Sequence, residues 1–164
     1  MTYLIKHPIN MYTPKFAIAS YSTSYTIAAG LPRTHTMQLD TIAQSTGMGL
    51  SLSSNQIVLQ KKKYAVYFKM GLQDAVEGRG GNLEIRLNGS SISETDSVKA
   101  ETTASSSPTG SGVLTPINIA FAMVDAQEGD LLSFFYTRTA GASVADTVYI
   151  DSNRAMLIEV GENL

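Results

Sequence analysis

The sequence predicts an all-β protein: an antiparallel two-sheet sandwich of the jelly-roll type, preceded by an extended N-terminal arm. Three observations carry this. Apolar residues alternate with polar ones over short runs, the period-two pattern of half-buried strands. Turn residues separate those runs at short intervals, and no run holds a helical period beyond about a turn. The composition also fits: 13 glycines, no cysteine and only 16% charged residues in 164, where about 25% charge is usual.

Residues 1–30 differ from the rest. They contain Tyr3, Tyr12, Tyr21 and Tyr25, four of the eight tyrosines, together with Phe16, Pro8 and Pro14. The prolines exclude a continuous helix. Two readings stand: a first strand with its loop, or an arm that docks on a neighbour through Tyr3, Tyr12, Phe16, Tyr21 and Tyr25. Tyrosine supplies contact area at low entropic cost, whereas solvated tails are richer in charge. Residues 31–164 form the sandwich domain.

The strands follow in order. "THTMQLDTI" (34–42) places Met37 and Leu39 on one face. "TGMGLSLSS" begins with turn residues and runs through a short strand towards "NQIVLQ". "KKKYAVYFKMGLQ" (61–73) is the strongest strand, with Tyr64, Val66, Phe68 and Met70 on one face and Ala65, Tyr67 and Lys69 on the other. "VEGRGGN" is a loop. "NLEIRLNGSSI" (82–92) alternates Leu83, Ile85 and Leu87 with polar residues, and Asn88-Gly89 accepts the positive φ of a two-residue hairpin. Residues 93–112 hold a weak strand and then an exposed loop rich in Ser, Pro and Gly. "VLTPINIAFAMVDA" (113–126) is a long strand with Ile117, Ile119, Phe121 and Met123 on one face. "QEGDLLSFFYTRT" is a turn and a strand, and "TVYIDS" and "RAMLIEVG" complete eight to ten strands.

Several strands are apolar on both faces. Phe134 and Phe135 are adjacent, as are Tyr67 and Phe68, and Ala120 and Ala122 alternate with Ile119, Phe121 and Met123. A lone antiparallel sandwich wets its outer faces, so the pattern predicts that loops or sibling copies cover them. Small and aromatic residues together suit a threefold contact, at Tyr67, Phe135, Ala120, Ala122 and Tyr149.

Four segments, in order, resemble the tumour necrosis factor and complement C1q-like families. "NQIVLQKKKYAVYFKMGLQ" resembles the long strand of their central sheet, and "LEIRLNGSSIS" the hairpin that follows. "AFAMVDAQEGDLLSFFYT" is similar to their Gly-Asp turn between two strands, here Gly129-Asp130, and "DSNRAMLIEVG" to their closing strand. The match spans residues 34–161. It departs at Lys63, where glycine is usual, and at Ala155 and Met156, where the family has Phe and Gly. The resemblance implies a compact homotrimer with strands about a threefold axis, binding without catalysis, and Tyr67 and Phe135 near that axis. Independently of the family, glycine permits the tight turn at Gly129 and Asp130 bonds nearby backbone amides.

The chemistry-bearing residues are sparse. His7 and His35 stand in no triad motif. Asp125, Glu128 and Asp130 cluster at a turn, but without the ligand spacing of an EF-hand for calcium. "EGRGG" lacks the Lys-Ser/Thr and following helix of a phosphate loop. "KKK" (61–63) abuts a strand start, where lysines guard edges, and offers a contact to an acidic partner. No enzyme activity, metal or cofactor is expected. A net charge of −2 disfavours nucleic acid, and no apolar run approaches the ~20 residues of a membrane span.

The resulting expectation is a trimeric structural virion protein. It would be a decoration or cement protein on the exterior of a phage capsid, bound to the major capsid protein and made in the host cytoplasm without a signal peptide. The alternatives are a receptor- or glycan-binding knob of a tail fibre, with the loop 102–112 as contact, and a bacterial C1q-like binding module. The chain shows neither the heptads nor the β-helical repeats of a fibre shaft, which favours decoration.

Overall fold

The computed structural model describes residues 13–23, 25–27, 34–73, 81–92, 117–138, 146–148 and 153–160. No helix occurs among them. The strands are β1 (Phe16–Ser20), β2 (Tyr25–Ile27), β3 (Thr34–Thr36), β4 (Thr41–Gln44), β5 (Ser51–Ser53), β6 (Gln56–Val58) and β7 (Lys63–Gln73). Then come β8 (Gly81–Leu87), β9 (Ser90–Ser91), β10 (Ile117–Asp125), β11 (Leu131–Arg138), β12 (Asp146–Val148) and β13 (Arg154–Val160). The count exceeds the eight to ten read from sequence because six strands are only two or three residues long. Runs that short carry no readable alternation.

Two antiparallel sheets result. The first has seven strands, in the order β2-β12-β7-β13-β1-β4 with β10 on the other flank of β7. Strand β7 is long enough to serve three partners. It meets β10 along Lys63 to Gly71 on one side, β13 along Lys63 to Lys69 on the other, and β12 at Leu72 and Gln73. The second sheet has six strands, β5-β6-β11-β8-β9 with β3 also on β11.

The core lies between the sheets. The inward face of β7 is Tyr64, Val66, Phe68 and Met70, all buried as the alternation predicts. From the second sheet come Leu83, Ile85, Leu132, Phe134 and Tyr136, and the connecting segments add Met37, Met48 and Leu59. Phe68 and Phe134 meet across the gap at 4.4 Å between ring centroids, inclined by 20°. That stack holds the sheets together at mid-height. Each large side chain withdrawn from water contributes about 1.5–3 kcal/mol.

The hairpin turns form as their residues require. Asn88 and Gly89 have φ of 50° and 82° between β8 and β9, and Ser54 and Asn55 have φ of 48° and 65° between β5 and β6. Positive φ at both central positions gives the twist that two-residue hairpins need. The Ser-Asn turn escaped the sequence reading because serine is a weak signal for this conformation.

Gly129 (φ 84°) turns the chain before β11, and Asp130 binds the neighbouring turns together. Its carboxylate accepts from the Gln127 amide at 2.7 Å and from Asn88 Nδ2 at 2.8 Å. Asn88 Oδ1 in turn accepts the Leu131 amide at 2.9 Å. These bonds, that from Asn88 first, hold the Asp130 carboxyl below the usual aspartate range. At the same end, Lys62 Nζ donates to Glu159 Oε2 at 2.7 Å and to the Gly47 carbonyl at 3.2 Å. Gln44 holds both the amide and the carbonyl of Leu50.

The N-terminal region corrects the arm reading in part. Phe16 belongs to β1, which lies inside the first sheet between β13 and β4. Tyr25 belongs to β2, paired with β12, and Tyr21 follows β1 directly. These three stand within or beside the sheet. Tyr3, Tyr12 and His7 lie outside the described residues, as do Tyr149, the "EGR" of "VEGRGGN" and the loop 93–112. Lysines 61–63 do not guard an edge, since β7 is central.

Two outcomes test this architecture. Phe134→Ala is expected to lose about 3–5 kcal/mol of stability by leaving a cavity against Phe68, read by urea unfolding. The Asp130 contribution is expected to depend on pH. Its native pKa is depressed, so the stabilisation is complete above the ordinary aspartate value and is lost as pH falls through the lower native value. The advantage of the natural protein over Asp130→Ala therefore stays constant from neutral pH down to about pH 4 and shrinks below it. An advantage that grew on acidification would overturn the clamp.

Candidate interaction face

The strands of the first sheet alternate in an unusual way. Many of their inward positions hold alanine: Ala17 and Ala19 on β1, Ala120 and Ala122 on β10, and Ala155 on β13, with Val124 and Leu157 as larger members. Their outward positions hold large apolar ones. Met123 is 57% exposed, Phe16 51%, Ile119 46%, Tyr67 39% and Met156 38%. Large side chains from β7 and from the second sheet fill much of the interior, and Val124 on β10 and Leu157 on β13 join the alanines there. Most of the bulky residues of those strands face out.

The register assembles them into rows. Met123, Ala65, Ile158 and Phe16 lie side by side across β10, β7, β13 and β1. The next row is Phe121, Tyr67, Met156, Ile18 and Ala43. Tyr67 and Phe121 are in contact, with ring centroids 4.8 Å apart and planes tilted by 48°. Two adjacent rows, one across four strands and one across five, make one continuous apolar surface. Monomeric soluble proteins seldom expose such a patch beyond a few hundred Å².

The second sheet treats its outward aromatic differently. Phe135 lies under the guanidinium of Arg86, 4.0 Å from ring centroid to Cζ. Glu84 Oε2 accepts from Arg86 Nη2 at 2.7 Å and fixes it there. The pairing raises the Arg86 pKa and lowers that of Glu84. Cation and carboxylate thus cap the ring from within the same chain.

The sequence-derived contact residues are therefore divided. Tyr67 stands in the middle of the exposed face. Ala120 and Ala122 point the other way, into the core, because their alternation with Ile119, Phe121 and Met123 is inverted relative to ordinary size packing. Phe135 is on the opposite sheet, so it and Tyr67 do not share a surface. Phe121, Met123, Met156, Ile18 and Phe16 are the residues that the sequence reading did not assign to this face. The signal was present: Ile-x-Phe-x-Met on β10 marks a face, but alternation alone does not tell which side is in.

Among the described residues no group of three or more His, Asp or Glu side chains is placed to hold a metal. His35 lies on β3 opposite Tyr136, away from the apolar face.

No protein-family model and no curated protein matches this sequence. Solved structures do match in fold. A crystal structure of murine APRIL at pH 8.0 superposes with a TM-score of 0.58 at 9% identity, over 90% of this chain and 100% of that one. A second murine APRIL structure, at pH 8.5, gives 0.57 at 9% identity with the same coverage. Eiger TNF from S. frugiperda gives 0.52 at 11% identity, over 92% of this chain and 94% of that one. At these identities the likeness is one of architecture, and the chain has a tumour necrosis factor-like jelly-roll fold.

Proposed function

We propose that the chain is a non-catalytic building block that works as a homotrimer, and that the trimer decorates the exterior of a phage head. The observation that carries the first part is the uncapped apolar face of the first sheet, set against the capped aromatic of the second. A face of this kind is stabilised by removing it from water, at about 25 cal/mol per Å² of apolar area. A sibling copy is the partner always present at the required concentration. The threefold arrangement follows the family resemblance of residues 34–161, and the tumour necrosis factor-like fold supports it.

The decoration reading rests on the low charge of the chain, the expected trimer and the aromatic character of its N-terminal residues. A trimer that touches several shell subunits links their stability, because each contact raises the effective concentration for the next. Since β1 is internal to the sheet, the shell contact falls to residues 1–12, with Tyr3 and Tyr12.

The first test is mass in solution. Light scattering is expected to give three chain masses. Tyr67→Glu and Met123→Glu place an unpaired charge in the apolar face and are expected to weaken association by about tenfold or more, while Phe135→Ala leaves it unchanged. A single-chain mass for the natural protein would overturn the trimer. The second test is location. Gold-labelled antibody on source particles is expected on the head, and label at a fibre tip would replace decoration with the knob reading. Removing residues 1–12 is expected to abolish head binding while the trimer mass persists.

A further inference from the structure

Asn88 is the only asparagine in the chain that is followed by glycine. The pair forms the exposed hairpin turn between β8 and β9. A backbone amide nitrogen can attack the side-chain carbonyl of an asparagine that precedes it, and glycine, which has no Cβ, hinders that attack least. The space around Gly89 is open: a Cβ added there would meet nothing within 4 Å. Against this reactive pairing stands a restraint. Asn88 Nδ2 donates to Asp130 Oδ1 at 2.8 Å, and Asn88 Oδ1 accepts the Leu131 amide at 2.9 Å. Both side-chain heteroatoms are thus tied to the chain around the Gly129-Asp130 turn. Asn55 is the internal comparison. It too has positive φ in a two-residue turn, 65° against 50° for Asn88, but Gln56 follows it.

We propose that Asn88 is a deamidation site restrained by Asp130, and that its conversion opens the clamp between the two turns. The reaction consumes water and involves no redox change. The Gly89 nitrogen bonds to Asn88 Cγ, the Cγ–Nδ2 bond breaks, and ammonia leaves with the proton of the Gly89 amide. Water then opens the resulting imide ring at either carbonyl, leaving an aspartate or an isoaspartate. The attack requires the side chain to turn its carbonyl carbon towards Gly89, a rotation that gives up both hydrogen bonds. One of them goes to a carboxylate and belongs to the stronger class. In the product, the donor that faced Asp130 is gone. An aspartate sets two carboxylates against each other at hydrogen-bond distance. An isoaspartate adds a methylene to the backbone of a turn built for two residues. Either product parts the β8–β9 hairpin from the turn between β10 and β11.

The test incubates the full chain at mildly alkaline pH and follows position 88 by peptide-mapping mass spectrometry. The folded natural protein is expected to convert at Asn88 about tenfold more slowly than the same chain in urea, the scale of one charge-assisted hydrogen bond, with Asn55 unchanged. Asp130→Ala is expected to remove most of that difference. Phe134→Ala, which weakens the core and keeps the clamp, is expected to retain it under conditions where both variants stay folded. Equal folded rates in the natural protein and Asp130→Ala would overturn the restraint, as would equal acceleration in the two variants. Absence of conversion at Asn88 in folded Asp130→Ala would overturn the site. Asn88→Asp reproduces the aspartate product, and its Gln127 amide, which the Asp130 carboxylate holds, is expected to exchange hydrogen about tenfold faster. An unchanged exchange rate would overturn the opening of the clamp.

Discussion

The stack of Phe68 on Phe134 sets the terms for the rest of this structure. Two aligned sheets lie about 10 Å apart, and these rings fill that gap at its centre. Tyr64, Tyr136, Met37 and Met48 fill it around them. Once a few large side chains occupy the gap, most of the remaining inward positions of the first sheet hold alanine, with Val124 and Leu157 beside them. Most of the bulky residues of β1, β10 and β13 then face outward. The exposed face is thus a consequence of how the core is packed.

The two sheets resolve the same problem by opposite means. On the second, an outward phenylalanine is covered locally by Arg86, which Glu84 holds in place. On the first, Tyr67 and Phe121 pack on each other, with Met156 and Ile18 beyond in the same row. A cation capping a ring makes a surface self-sufficient; an uncapped apolar row leaves its stabilisation to another molecule. This contrast points to the first sheet as the side that meets a partner.

The turns are built to be rigid. Asp130, Asn88, Gln127 and Leu131 close a ring of hydrogen bonds between two turns at one end of the second sheet, and Lys62 ties the Gly47 loop to β13 through Glu159. Positioning is the work these polar groups perform. These bonds join the turns at one end of the sandwich.

The amino-acid order alone settled a good deal. The inward run Tyr64, Val66, Phe68 and Met70, the Asn88-Gly89 hairpin, the Gly129-Asp130 turn and the all-β class were legible because each depends on residues close in sequence. The sides of β1 and β10 were not. Ala120 and Ala122 were expected at the contact, whereas Ile119 and Met123 are the exposed side of β10. Phe135 and Tyr67 read as neighbours although they lie on different sheets. Sequence fixes which residues of a strand share a face. Which face is inside depends on the volume left by the opposite sheet, and only the tertiary packing determines that volume.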